Sequence, residues 1–261
     1  MNKLLTYLTV ISLPLALLSC GNNTSNPKSN PEPQINPDNN QVYVTSRDSE
    51  LRMSLSDKLK FEEYEHTSER QPIVFVNEKV TFQTIEGIGG AITDAAAETF
   101  YKLPEDKRSE ILGAYFGSGK GIGYNIARVN IASCDFSSSS YSYVNEGDTS
   151  LESFTIDHDL KYKIPMIKEA RAAAGEEVLM FASPWSPPAW MKTNGDVLHC
   201  GKLLDECKQP WANHYVKFID AYTQTGIPIW AISAQNEPLA VQTWESCIFS
   251  AGDEAEFIGK Y

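Results

Sequence analysis

The chain has 261 residues, of which 42% are hydrophobic and 11% aromatic, enough apolar surface to bury a core in one or two domains. A formal net charge of -12, without a basic cluster or a glycine-rich phosphate loop, argues against nucleic acid and other polyanions and suits a neutral or cationic ligand.

Residues 1–20 read as an export signal. Lys3 supplies the charge. Leu4 to Leu18 forms an apolar run, interrupted at Pro14, that is short for a membrane span. It ends in Leu17-Leu18-Ser19-Cys20-Gly21, which resembles a bacterial lipoprotein signal and implies lipidation of Cys20 after cleavage; a plain secretory signal is the alternative. Either way the protein is expected to be exported, to the periplasm or cell surface if anchored, with membrane contact through the lipid only. Residues 21–41 are rich in Asn, Pro and Ser and read as a disordered tether, because so few apolar groups cannot offset the entropy of ordering. From residue 42 to 82 the pattern predicts strands at Val42–Thr45, Ile73–Val76 and Val80–Phe82, the last two flanking a turn at Asn77-Glu78.

After Phe82 strands and helices alternate. Strands are predicted at Glu86–Ala91, Gly123–Ile131, Val178–Ser183 and Ile227–Ala234. The clearest helix is Trp211–Thr225, where Trp211, Tyr215, Phe218, Ile219 and Tyr222 form one apolar stripe and Gly226 supplies the stop. A last helix begins at Asp253–Tyr261. Such alternation predicts a parallel sheet. The four strand-helix units from residue 83 to 261 are half of what an eight-fold barrel needs, so the chain is expected to be the N-terminal half of a larger protein.

Chemistry is expected where these strands end. In Ile229-Trp230-Ala231-Ile232-Ser233-Ala234-Gln235-Asn236-Glu237-Pro238 one face becomes polar toward Glu237 and the other is bulky and apolar, as for a barrel strand that leads into a site. Arg128 and Asn130 share a face of the second strand, and a cation inside a barrel requires a carboxylate, for which Glu237 is the candidate. The third strand runs into Ser183-Pro184-Trp185-Ser186-Pro187-Pro188-Ala189-Trp190, whose rings suit either sugar stacking or core packing. Asp94 follows Thr93 at the start of an Ala-rich helix and is expected to act in capping it. Cys134 is expected to be a free core thiol, a Cys200–Cys207 disulfide is plausible in an exported chain, and Cys247 is a competing partner. His66, His158, His199 and His214 show no metal-ligand spacing, and neither a metal nor a cofactor is expected.

Several segments, in order from about Phe82 to the end, carry a family resemblance: Phe82-Gln83-Thr84-Ile85-Glu86-Gly87-Ile88-Gly89-Gly90-Ala91-Ile92-Thr93-Asp94-Ala95-Ala96-Ala97, Gly121-Ile122-Gly123-Tyr124-Asn125-Ile126-Ala127-Arg128-Val129, Ala132-Ser133-Cys134-Asp135-Phe136, Ala182-Ser183-Pro184-Trp185, Trp190-Met191-Lys192-Thr193-Asn194-Gly195 and Asn236-Glu237-Pro238. Together they resemble family 30 glycoside hydrolases, on the branch of the lysosomal glucosylceramidases. The resemblance implies a TIM barrel with an attached β-sandwich, to which residues 42–82 would contribute strands. It implies retaining hydrolysis of a β-linked glucoside or glucan by two glutamates. Glu237 would be the general acid/base, Asn236 would hold the sugar 2-hydroxyl and the nucleophile, Asp135 would accept from sugar hydroxyls, Trp185 would line the pocket, and Arg128 would orient the carboxylates. The nucleophile belongs to a seventh strand and is absent from this chain, so the 261 residues alone are expected to be inactive. A β-1,6-glucanase, a β-xylosidase or a non-catalytic glycan-binding lipoprotein are the alternatives.

Overall fold

The computed structural model describes residues 40–59, 74–75, 77, 79–119, 121–175 and 177–261. The expected signal with Cys20, most of the tether, His66, and Ile73 and Val76 lie outside the described residues. The chain divides into two units, Met1–Phe82 and Gln83–Tyr261.

In the first unit Asn40–Val44 (β1) pairs antiparallel with Ser54–Leu59 (β2), with a register shift between Gln41 and Tyr43. β2 is a strand that its polar sequence does not announce. Arg52 closes the connecting loop by donating from Nη1 to the carbonyls of Ser46, Ser49 and Leu51 at 2.9, 2.8 and 2.8 Å. Of the expected hairpin, the strand at residues 73–76 lies in part outside the described residues, and the strand at residues 80–82 is corrected. A turn does form, with the Val80 N–H donating to the Asn77 carbonyl at 3.1 Å, but residues 80–82 are not a strand. Phe82 is 82% exposed, and a short apolar run without a covering surface does not hold a strand.

The second unit is built on four parallel strands in sequence order: Gly89–Ala91 (β3), Ile126–Ile131 (β4), Leu179–Pro184 (β5) and Ala231–Ile232 (β6). Asp94–Phe100 (α1) and Glu105–Tyr115 (α2) follow β3, Asp157–Lys161 (α3) and Lys163–Ala174 (α4) follow β4, Lys208–Gln224 (α5) follows β5, and Ala251–Lys260 (α6) follows β6. Neighbouring parallel strands joined through helices are the construction of a (β/α)8 barrel, and four such units are present. The outer strands are shorter than their apolar runs predict, because each has a ladder on one side only. Even so, Trp230 and Ser233 donate to the Met180 and Ala182 carbonyls at 2.8 and 3.0 Å, so pairing with β5 extends beyond β6 at both ends.

Alternation decides which side of the sheet is apolar. Ala127, Val129 and Ile131 of β4 and Met180 and Ala182 of β5 are no more than 1% exposed, packed with Ile164, Ile167 and Ala170 of α4. Arg128, Asn130 and Ser183 occupy the opposite face. A Cβ at Gly89 would run into the Ile126 carbonyl, which is why glycine begins the β3–β4 pairing. The α5 stripe is as expected: Trp211, Phe218 and Tyr222 are fully buried, and Gly226 at φ 87° follows the helix. At α1, Thr93 is the cap, its Oγ1 accepting from the Ala96 N–H at 3.3 Å. Asp94 does not cap; its carboxylate turns inward instead.

A buried ion pair fastens β4 to its helices. Lys163 Nζ lies 2.9 Å from Asp159 Oδ2, with both side chains fully buried, and donates to the Asn130 carbonyl at 3.0 Å. Asp159 also accepts from the hydroxyls of Tyr143, of Tyr222 at 2.6 Å and of Tyr141 at 3.1 Å. Burial alone would raise the pKa of Asp159, but Lys163 and these hydrogen bonds outweigh it and hold it down to about 2.

Cys134, Cys200, Cys207 and Cys247 are all buried and free, which corrects the Cys200–Cys207 disulfide. The intervening segment is pinned by bridges from Lys192 to Leu203 and from Leu198 to Glu245. The Cys200 sulfur is thereby turned to the Gln242 N–H at 3.1 Å, whereas Cys207 joins the core at the start of α5. Burial pushes the Cys134 and Cys247 thiols up to about 11.

Candidate active site

The polar ends of β4, β5 and β6 meet around Arg128. Its Nε donates to Ser183 Oγ at 2.9 Å, its Nη2 donates to Asn236 Oδ1 at 2.7 Å, and its Cζ stands 4.6 Å from the centre of the Trp185 ring. One side chain on β4 thus ties down the strand end of β5, the aromatic loop after it and the residue preceding Glu237. Ser233 joins the same cluster through Ser183 Oγ at 2.8 Å. Burial lowers the pKa of Arg128, while the nearby Cys134, Asp135 and Glu237 pull the other way; a guanidinium remains charged throughout.

Glu237 is among the carboxylates near Arg128, as expected, but the two form no direct ion pair. The Arg128 fork is occupied by two neutral oxygens, and Glu237 acts on it only at longer range. The cause is backbone geometry. Glu237 has φ 44°, a left-handed conformation that breaks strand alternation, and its exposed carboxylate accepts from Gln242 Nε2 at 3.3 Å. Ala132, directly after β4, is likewise left-handed at φ 59°. Backbone of this kind costs about 1–3 kcal/mol per residue and concentrates at functional sites.

The loop that Ala132 opens presents Asp135. Its turn is closed without Asp135, by Ser137 Oγ accepting from the Cys134 N–H at 3.0 Å and by the Ser137 N–H donating to the Cys134 carbonyl at 3.0 Å. Asp135 is exposed at the surface, and its pKa is raised, first by partial desolvation and then by the negative charges of Glu237 and Glu245. The Trp185 indole N–H lies close enough to oppose that rise slightly, yet it stops short of hydrogen-bond geometry. Trp185 therefore offers a buried donor, and Asp135 an acceptor, with capacity to spare for a polyhydroxylated ligand. Trp190, the other ring of this loop, packs against the core and is not part of the constellation.

Of the residues singled out by sequence, Arg128, Trp185 and Asn236 are in contact, and Glu237 is near enough for its charge to raise the pKa of Asp135. Sequence reasoning missed Ser183 and Ser233 as the partners that orient Arg128. It also missed Gln235, whose Nε2 donates to the Trp185 carbonyl at 2.7 Å, and Gln242, on Glu237. Lys192 was likewise unassigned. Its buried ammonium donates to the Val197 and Ser246 carbonyls at 3.1 and 2.8 Å, joining the loops after β5 and β6, and burial lowers its pKa to about 8.

Comparison with known proteins identifies the domain. Residues 85–260 match the glycosyl hydrolase family 30 TIM-barrel domain. The lysosomal acid glucosylceramidase of Mus musculus is 44% identical over 165 residues, 61% of this chain and 32% of that protein. An endo-1,6-beta-D-glucanase of Neurospora crassa is 32% identical over 180 residues, 66% of this chain and 37% of that protein. Among solved structures, SrfJ from Salmonella typhimurium superposes with a TM-score of 0.66 at 38% identity, covering 69% of this chain and 40% of that one. The chain thus spans less than half the length of the relatives it matches. On the strength of the matched barrel domain, the chain belongs to glycosyl hydrolase family 30.

Proposed function

We propose that the protein is a retaining β-glycosidase acting on β-glucosidic bonds, with Glu237 as general acid/base and a second carboxylate, outside these 261 residues, as nucleophile. The observation that carries this reading is the 2.7 Å hydrogen bond from Arg128 to Asn236 beneath the Trp185 ring. It fixes the residue beside Glu237 while leaving the Glu237 carboxylate in solvent, where a leaving-group oxygen could receive its proton. A retaining site places the two carboxyl groups about 5–5.5 Å apart, so a negative nucleophile would raise the pKa of Glu237 and keep it protonated for the first step. Asp135 and the Trp185 N–H would then hold sugar hydroxyls, and Asn236 the 2-hydroxyl. No step requires a metal or an organic cofactor.

The mouse relative's name supports glucosylceramide and hence sphingolipid breakdown, and the Neurospora crassa relative's name supports a β-1,6-glucan. The full-length protein should therefore be assayed on an aryl β-glucoside, glucosylceramide, a β-1,6-glucan and an aryl β-xyloside, with proton NMR following the first sugar released. Initial appearance of the β-anomer is expected. Initial α-anomer would exclude retention, and saccharide binding without turnover would instead establish a non-catalytic glycan-binding protein. We also propose export and a lipid on Cys20, from the run ending in Leu17-Leu18-Ser19-Cys20. Mass spectrometry of the mature N-terminus should find a lipidated cysteine, and an unmodified terminus at any other residue rules it out.

A further inference from the structure

The inward-turned carboxylate of Asp94 is not used by the constellation around Arg128. Its Oδ1 accepts from Asn130 Nδ2 at 2.9 Å and from Ser137 Oγ at 2.7 Å. Its Oδ2 is buried and has no hydrogen-bond partner among the described residues, in a residue only 3% exposed. A buried carboxylate oxygen left unpaired is costly, so one expects something to meet it. The same carboxylate belongs to a set of metal-ligand types: an oxygen of Asp94, an oxygen of Glu98 and a ring nitrogen of His158 all lie within 4.8 Å of one another.

Each of the three is held from behind. Glu98 lies on α1 with Asp94, four residues on and hence on the same face, and its Oε2 accepts from Ser138 Oγ at 2.5 Å. His158, on α3, stacks on the Tyr141 ring at 3.6 Å between centroids, and its Nδ1 lies 3.6 Å from Asp159 Oδ1. A carboxylate behind one imidazole nitrogen leaves Nε2 to ligate, which is the usual outer-sphere arrangement of a metal-bound histidine. The local charges agree. Asp94, Glu98 and Asp159 are three carboxylates against the single ammonium of Lys163, a balance of minus two with His158 neutral.

We propose that Asp94, Glu98 and His158 form a binding site for a divalent cation of borderline softness, Zn2+ being the best match to two carboxylates and one imidazole. Tetrahedral ligands about 2.0–2.2 Å from zinc are about 3.4 Å apart, so the three atoms must close by up to about 1.4 Å. Asp94 is buried and fixed, whereas Glu98 is half-buried and His158 exposed, so these two side chains can make that movement. Water would complete the coordination. A bound cation would join α1 to α3 and, through Asn130, brace the strand that carries Arg128.

The test uses full-length protein stripped with a chelator and titrated with Zn2+ alone, by calorimetry in competition with a chromophoric chelator and by thermal melting. One Zn2+ per chain and a raised Tm are expected. Glu98→Gln should leave the Tm of the metal-free protein unchanged and weaken binding at least about tenfold, and His158→Gln should weaken it comparably. Absence of binding at millimolar Zn2+ would overturn the proposal. So would undiminished affinity in both variants, which would place the ion on the thiols or at His199 and Asp196.

Discussion

Replacing Lys163 with methionine probes the scaffold beneath the site. The substitution keeps the length of the side chain and removes an ammonium that touches Asp159 at 2.9 Å and the Asn130 carbonyl at 3.0 Å, in a place without water. Removing one partner of a buried ion pair typically costs about 3–5 kcal/mol, since the other charge is stranded. Three tyrosine hydroxyls still donate to Asp159 and offset part of this, so the expected loss at pH 7 is about 3 kcal/mol. For a domain of this size that lowers the Tm by about 6–12 °C. The pH dependence is the sharper signature. In the parent the folded pKa of Asp159 is depressed to about 2, so its contribution is complete above the unfolded value near 4 and is lost as pH falls toward 2. Without Lys163, burial becomes the dominant influence and the folded pKa of Asp159 rises above the unfolded value. The variant's deficit should then be largest at neutral pH and shrink as pH falls toward the unfolded pKa, where the protonated acid carries no charge to strand. Urea unfolding of full-length protein, followed by fluorescence at pH 7.5, 6 and 5, measures this. A deficit below about 1 kcal/mol, or one that does not change with pH, would refute the reasoning.

Two further outcomes follow from the same geometry. Arg128→Lys keeps the charge but cannot serve Ser183 and Asn236 together, so kcat/KM of the full-length protein on an aryl β-glucoside should fall about 10- to 100-fold, the equivalent of one charge-assisted hydrogen bond, with little change in Tm. An unchanged kcat/KM would show that Arg128 does not position Asn236. Quantitative alkylation without reductant should label Cys134, Cys200, Cys207 and Cys247 together in denaturant and slowly, if at all, in the native protein, because all four are buried thiols. A mass lower by two hydrogens, with Cys200 and Cys207 unlabelled, would restore the disulfide.

Particular residues show what could be read from the chain and what could not. The barrel units and α5 were legible because their apolar residues recur at the periods of buried strands and of a helix, and Arg128, Asn236 and Trp185 stood out as polar or aromatic groups where such strands end. β2 was not legible, since Ser54-Leu55-Ser56-Asp57-Lys58-Leu59 is mostly polar in sequence and forms a strand through backbone pairing with β1. Nor was the direction of Glu237, because a φ of 44° in a non-glycine residue leaves no trace in residue type. Ser183 and Ser233 look like ordinary strand-end serines until the register sets them side by side. Cys200 and Cys207 are near in sequence, but Leu198 and Leu203 bridge to different partners and draw them apart. Asp94, Glu98 and His158 have no common spacing because α1 and α3 belong to different strand-helix units.

The most direct test of the central claim is Glu237→Gln in the full-length protein, assayed on an activated aryl β-glucoside and on an alkyl β-glucoside, with and without azide. Loss of the general acid should slow the alkyl glucoside by about a hundredfold to ten-thousandfold and spare the formation of the glycosyl-enzyme from the activated substrate, whose leaving group needs little protonation. Azide, needing no base, should then restore turnover of the activated substrate and yield the β-glucosyl azide. Alkyl-glucoside hydrolysis within a few-fold of the parent, or an azide product of α configuration, would contradict the assignment of Glu237 as the acid/base of a retaining enzyme.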